Sequence, residues 1–320
     1  MKLVCSKSNL LNGVNIVSKA VPNKTTMSIL ECILIDATGS QIKLIANDME
    51  LGIETVIEGE IIEKGQIALD AKILLDIVRK LPDNDVTIVT DNSFKTNITC
   101  EKAKFTIIGK SGEDFSYLPS IERIDSIIIS QFTLKEVVRQ TIFSIADNDN
   151  NKLMTGELFE IDGDTLKVVS LDGHRISIRK IELKNSYPSR KVVVPGKTLN
   201  EVSKILSGDA DKDVSIFFTG KHIVFEFDQT TVVSRLIEGE YFKIDQMLSS
   251  DYETKVTINK KELLDCIDRA TLLVKEGDKK PIIINITDGM MELKINSTVG
   301  SMNEEIDIVK QGKDLMIGFN

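Results

Sequence analysis

Three stretches of the chain share one order of polar and apolar positions. Residues 2–21, KLVCSKSNLLNGVNIVSKAV, alternate for a few positions and then place apolar residues three and four apart, the change of period from a strand to an amphipathic helix. IIISQFTLKEVVRQTIFSIA and KVTINKKELLDCIDRATLLV repeat that change. Their paired apolar residues fall at Leu10/Leu11, Val137/Val138 and Leu263/Leu264, at offsets of 127 and 126 residues.

A second landmark recurs in the same order. IKLIANDMELGIET from Ile42, LKVVSLDGHRISIR from Leu166 and LKINSTVGSMNEEI from Leu293 alternate, turn and alternate again, which predicts a β-hairpin in each. A third is IALDAKILLDIVRKL against VVVPGKTLNEVSKIL, with Lys72 and Lys197 at an offset of 125; its next counterpart begins at LMIGFN, where the chain ends. Agreement in order and spacing predicts a triplicated module of roughly 125 residues, with helices and several strands in each copy. The polar stretches at Leu118–Ser126 and Met247–Glu253 then serve as connections, giving modules at 1–120, 126–248 and 253–320, the last incomplete.

The helical stripes assign faces. In DAKILLDIVRKL, Ile73, Leu74, Ile77, Val78 and Leu81 form the apolar stripe, with Lys72 and Arg79 on the other side. In the matching helix Leu199, Val202, Ile205 and Leu206 turn inward, with Lys197 and Lys204 outward. Lys7, Lys19 and Lys24 flank the first helix, and Lys135 and Arg139 sit four apart on another. Equivalent helices of stacked modules tend to line one surface, so this basic set points to nucleic acid held without base readout. In the third module Leu263, Leu264, Ile267, Thr271 and Val274 read as the core side, leaving Leu272 and Leu273 pointing away toward a partner.

Composition narrows the class. With 320 residues, 42% hydrophobic and 28% charged, this is an ordinary folded chain, and its net charge of −9 excludes a general basic coating. The N-terminus has no signal-like apolar run and no segment approaches a membrane span, which points to the cytoplasm. Cys5, Cys32, Cys100 and Cys266 lack CxxC spacing and read as buried free thiols. Aromatic content of 5% offers little base stacking.

Taken together, DGHRIS, LIEGEY, RKLP, TGELFE and the final IGFN resemble the bacterial sliding clamp family, the β subunit of DNA polymerase III, over all three modules. The resemblance implies an α+β fold of three tandem clamp domains, helices on the inner face and antiparallel sheets outside, forming an arc that is half of a ring. It implies a non-enzymatic processivity factor without cofactor: a homodimer around double-stranded DNA that tethers the polymerase III catalytic subunit, the clamp loader and other proteins carrying clamp-binding motifs. DNA-facing positions would be Lys24, Lys72, Lys152 and Lys197. The family's peptide cleft, between its second and third domains, maps onto Met154, Leu171, Gly173, His174, Arg175, Ile176, Phe242 and Met247. Phe242 replaces a frequent proline and Gln246 an arginine, implying a pocket with its own shape; the cleft's far wall, from the family's C-terminal segment, is missing after Asn320, and impaired assembly is expected because an incomplete third module exposes a sheet edge and core. The family's dimer contact would set Leu272 and Leu273 against Phe105 and Ile107 of the other subunit.

His174 is the residue on which the competing readings turn. Asp172-Gly173 is a favourable turn pair by itself, whereas the first copy has Glu50 and Leu51 where His174 and Arg175 stand, so the His-Arg pair is no scaffold requirement. A structural histidine, a docking surface and metal-assisted hydrolysis at Asp172/His174 all remain open, though no HExxH, CxxC or GxSxG accompanies the pair. A peptide-binding scaffold with no role on DNA is the other alternative.

Overall fold

The computed structural model describes residues 1–119, 121–124, 126–147, 151–248, 251–274 and 281–319. Parts of both expected connections, the loop at 275–280 and the final Asn320 lie outside the described residues. Contacts divide the chain into Met1–Tyr241, unit 1, and Phe242–Asn320, unit 2.

Unit 1 contains two copies of the repeat. The first runs β1 (Lys2–Ser6), α1 (Lys7–Val17), β2 (Cys32–Asp36), β3 (Ile42–Asn47), β4 (Leu51–Ile57), β5 (Glu60–Glu63), β6 (Gln66–Asp70), α2 (Ala71–Lys80), β7 (Asp85–Thr90), β8 (Lys95–Cys100) and β9 (Ala103–Ile108). The second runs β10 (Ile127–Ser130), α3 (Gln131–Thr141), β11 (Gly156–Leu171), β12 (Ile176–Pro195), α4 (Gly196–Ile205), β13 (Asp213–Phe218), β14 (His222–Phe227) and β15 (Thr230–Arg235). Here the counterparts of the β2–β6 and β3–β4 pairs fuse into one long antiparallel ribbon, paired from Gly156↔Pro195 to Leu171↔Ile176 with register shifts between Ile161 and Thr165.

The repeat grows from local chemistry. Each first strand passes directly into a helix whose N-cap side chain accepts an orphan backbone N–H: Ser6 from Asn9 at 3.2 Å and Ser130 from Thr133 at 3.1 Å. Lys72 and Lys197 are both the second residue of their helices, as the offset predicts. Leu10, Val14 and Val17 of α1 pack with Leu74 and Val78 of α2 over Leu44 and Ile53 of the sheet, all fully buried. Gly13 permits the close approach, since a Cβ there would lie 2.5 Å from Ile57 and 2.8 Å from Leu44.

The first two copies form one unit because a strand of the second completes a sheet of the first. β15 pairs antiparallel with β4, from Thr230↔Thr55 to Ser234↔Leu51, in an eight-stranded sheet ordered β10-β13-β14-β15-β4-β3-β2-β6. The joint is buried and sealed by a hydroxyl pair, Thr55 with Thr230 at 2.9 Å. β9 ends the other sheet of the first copy, β5-β1-β7-β8-β9, as a free edge.

Unit 2 runs α5 (Ile244–Met247), β16 (Thr254–Ile258), α6 (Lys260–Thr271), β17 (Ile282–Thr287), β18 (Met290–Asn296), β19 (Ser301–Gly312) and β20 (Leu315–Phe319). Its sheet is ordered β16-β19-β18-β17-β20, and Asn259 caps α6 by accepting from Lys261 and Glu262. β20 pairs with β17 as β6 pairs with β2, so LMIGF takes the place its alignment predicts.

Two stripe assignments are corrected. Ile73 is 49% exposed, because the stripe of α2 runs through Leu74, Ile77 and Val78, leaving Ile73 beside Lys72. In α6 the buried residues are Cys266 and Ala270, flanked by Leu263 and Ile267; Leu264 is 53% exposed and Thr271 is exposed too. The counterparts of Leu264 are Leu11 and Val138, packed in helix pairs α1–α2 and α3–α4, and no second long helix accompanies α6 among the described residues of unit 2.

Candidate functional site

The basic helix faces are present, with different electrical surroundings. Lys24, Lys72, Lys152 and Lys197 are all exposed. Lys197 is ion-paired with Asp48 of the first copy, whose carboxylate is almost buried. That contact ties the two copies together and leaves less of the Lys197 charge for an external anion. Lys204 is held by Glu201 at 2.7 Å and Arg139 by Glu136 at 2.7 Å, both within one helical turn. Lys135 is half-buried and donates to the Leu206 carbonyl at 3.1 Å, which satisfies the end of α4. Lys24, Lys72 and Lys152 therefore carry the least compensated charge of the residues matched to DNA contact.

The hairpin loops are built alike in all three copies. Each spans four residues between paired strand ends: Asp48–Leu51, Asp172–Arg175 and Ser297–Gly300. The first side chain of each accepts from the backbone N–H of the third and fourth residues. Asp48 does so from Glu50 and Leu51 at 3.0 and 2.7 Å, and Asp172 from His174 and Arg175 at 3.0 and 3.2 Å. Ser297 accepts from Val299 and Gly300 at 3.1 and 3.3 Å. The turn is thus a four-residue loop closed by its first side chain, in place of the two-residue Asp-Gly turn that the sequence suggests.

Within this frame Gly173 takes φ 86°, and Arg175 folds back on Asp172 at 2.9 Å while lying over the Phe143 ring at 5.7 Å. Burial works to raise the Asp172 carboxyl, but the His174 N–H, the Arg175 guanidinium and the Arg175 N–H outweigh it and hold it below the usual carboxylate range. Asp172 is thus engaged in shaping the loop. His174 and Gly173 project into open surroundings, the adjoining Ile176 is half-buried, Met154 is half-buried as well, and Leu171 belongs to the core. Phe242 and Met247 lie in unit 2, half-buried and exposed respectively. No group of three or more His, Cys, Asp and Glu side chains is placed to hold a metal ion among the described residues.

One residue near this loop escapes the sequence reading. Glu157 is fully buried in β11, on the same face as Phe159 and Ile161. Its Oε2 accepts from Thr141 at 3.1 Å and its Oε1 has no hydrogen-bond partner. Burial pushes its carboxyl up to about 8, against the weaker opposing pull of Thr141, so it is mostly protonated at neutral pH. The available signal was a carboxylate sharing the period of two core residues in TGELFEI.

The edges expected to meet a second chain lie in different units. Phe105 is exposed, Ile107 half-buried and Ile108 almost fully exposed on the free edge strand β9. Leu272 is 81% exposed just after α6, and Leu273 is half-buried. An apolar, unpaired strand edge is a surface that proteins normally cover.

Models of the N-terminal, central and C-terminal domains of the DNA polymerase III beta subunit match residues 1–119, 128–243 and 245–320. The chain belongs to the bacterial β sliding clamp family. Its relatives include the beta sliding clamp of Staphylococcus aureus, 33% identical over 330 residues, covering 100% of this chain and 87% of that one. Among solved structures it superposes on a DNA polymerase III beta subunit from Eubacterium rectale with a TM-score of 0.98 at 78% identity, and on the sliding clamp of Bacillus subtilis with 0.95 at 32%. Both cover 100% of this chain and 87% of the other. Sliding clamps are processivity factors of DNA polymerase III and not enzymes, so the three repeats are clamp domains and the His174 loop is not a hydrolytic centre. No helix among the described residues is long and apolar enough to cross a membrane.

Proposed function

We propose that this clamp works as a head-to-tail homodimer closed around duplex DNA, with Lys24, Lys72, Lys152 and Lys197 facing the phosphates. Retention is then topological: a closed ring cannot leave the duplex sideways, so weak phosphate contacts suffice and sliding stays easy. The domain limits in this reading are 1–120, 126–248 and 253–320, and the protein acts in the cytoplasm.

The pairing of β15 with β4 carries the proposal. It supplies, inside one chain, an edge-to-edge joint between consecutive repeats, and the repeat pattern offers the matching pieces elsewhere. β9 is the first-copy counterpart of β15 and is a free edge. The Ser301–Asp307 part of β19 pairs with β18 as β4 pairs with β3, and in its sheet it has no strand on the other side. A second chain presenting β9 to that side of β19 repeats the joint, with Phe105, Ile107, Leu272 and Leu273 in the contact. Sedimentation of the purified protein tests this: a concentration-dependent dimer is expected, and Phe105→Asp on the exposed edge should weaken it at least tenfold, about 1.4 kcal/mol. A monomer at all concentrations, or a dimer indifferent to Phe105→Asp, contradicts it.

Partner tails are assigned to the Asp172–Arg175 loop with Met154, Leu171, Gly173, His174, Arg175 and Ile176, while Phe242 and Met247 in unit 2 are tested separately by substitution. The polymerase III catalytic subunit, the clamp loader and other proteins with clamp-binding motifs are the partners. Support comes from the chemistry: the half-buried Ile176 adjoining exposed His174 and Gly173, and a flexible, half-buried Met154 thioether able to repack around different anchors.

A further inference from the structure

Unit 1 holds a cavity of about 90 Å³ between the β3–β4 hairpin, the segment Ser116–Pro119 and strands β14 and β15. Met49, Leu51, Leu118 and Val233 give it apolar walls, and Glu50, His222 and Arg235 bring polar groups to it. Dry cavities of ~150 Å³ take up benzene, so this one suits an aliphatic side chain.

Three observations point to a ligand. The first is strain at the rim: Met49 takes φ 75°, a left-handed conformation unfavourable for a residue with a Cβ, and is 56% exposed. Gly173 holds the same place in the β11–β12 loop at φ 86° without that strain. Met49 thus keeps a flexible thioether over the opening at a conformational cost. The second is charge. His222 and Arg235 pair across β14 and β15, and Lys221 is next to His222. The opposing Glu50 pairs only loosely with Arg235, at 3.7 Å and beyond hydrogen-bonding distance, so the guanidinium can exchange it for a closer acceptor. The His222 imidazole is lowered by burial, then by Arg235 and Lys221, and is neutral at physiological pH, able to donate one N–H. The third is construction, since the loop above the cavity has the same hydrogen-bonded frame as Asp172–Arg175.

We infer that this cavity binds an extended peptide segment of a partner protein in which an aliphatic side chain is followed by a carboxylate. The aliphatic group enters between Met49, Leu118 and Val233, and the carboxylate meets Arg235 beside His222. The clamp then carries a client contact on its first pair of repeats, separate from the one assigned to the His174 loop and independent of it.

Protein labelled with ¹³C at its methionine methyls tests both places in one spectrum, Met49 and Met154 being identified by substitution to leucine. The probe is N-acetyl-Leu-Asp, with N-acetyl-leucinamide as the control lacking a carboxylate. Saturable movement of the Met49 methyl is expected, at least about tenfold weaker with the control or with Arg235→Ala. Val233→Phe, which fills the cavity, should abolish the movement; as Val233 is buried, the exposed Arg235 carries the test if that variant unfolds. A still Met49 methyl, or one that moves equally in Arg235→Ala, overturns the inference. Movement of Met154 alone would overturn it while leaving the His174-loop assignment standing.

Discussion

Glu157 should make unit 1 less stable as pH rises through the neutral range. Its carboxyl has an ordinary value near 4.5 in the unfolded chain and about 8 when folded. Between those values the folded state holds a proton that the unfolded state has lost, so the folded state is favoured by low pH, and the advantage drains away as pH climbs from 4.5 to 8. From pH 5 to pH 8 the loss reaches up to about 4 kcal/mol at 1.36 kcal/mol per pH unit, an upper bound because relaxation around a buried charge lowers it. Glu157→Met removes the titration and strands no donor, since the Thr141 hydroxyl also reaches the Val137 carbonyl at 2.8 Å. Thermal unfolding of both proteins from pH 5 to pH 9 is the assay. The variant should gain on the parent as pH rises, by roughly 2–4 °C per kcal/mol for a unit of this size. A variant-minus-parent Tm that stays constant across that range, or that falls toward pH 9, refutes the reasoning.

Other outcomes follow from single contacts. Asp48→Ala removes the acceptor for two loop N–H groups and the partner of Lys197, so urea unfolding of unit 1 should lose about 1–2 kcal/mol with an unchanged slope. Lys24→Glu with Lys72→Glu should slow loading onto DNA without lowering Tm, whereas Lys197→Glu should slow loading and also lower Tm, because it sets a carboxylate against Asp48. His174→Ala should weaken binding of a polymerase-derived tail peptide at least about tenfold in a fluorescence titration and leave the secondary structure unchanged, as its side chain is exposed and its backbone N–H keeps the bond to Asp172.

What the sequence shows is what short-range chemistry controls. The repeat, the strand-to-helix switches at Ser6, Ser130 and Asn259, the three hairpins and the outward placement of Lys72 and Lys197 all depend on residues within a dozen positions of one another. Ile73 and Leu264 mislead because each adjoins a true stripe residue, and at 100° per residue a helix can take either neighbour until its packing partner is known. The β15–β4 joint, the Lys197–Asp48 pair and the cavity beside Met49 bring together residues from different copies, more than a hundred positions apart. Nothing local marks them. Glu157 lies between these cases: it shares the period of Phe159 and Ile161 yet escaped the sequence reading, and its missing partner is visible only in three dimensions.

The central claim is that the clamp holds DNA by enclosure. The direct measurement is its retention, after loading by a clamp loader, on a nicked circular duplex and on the same duplex linearised, followed by gel filtration at raised salt. The account predicts that the clamp stays on the circle and is lost from the linear molecule. Equal loss from both contradicts it.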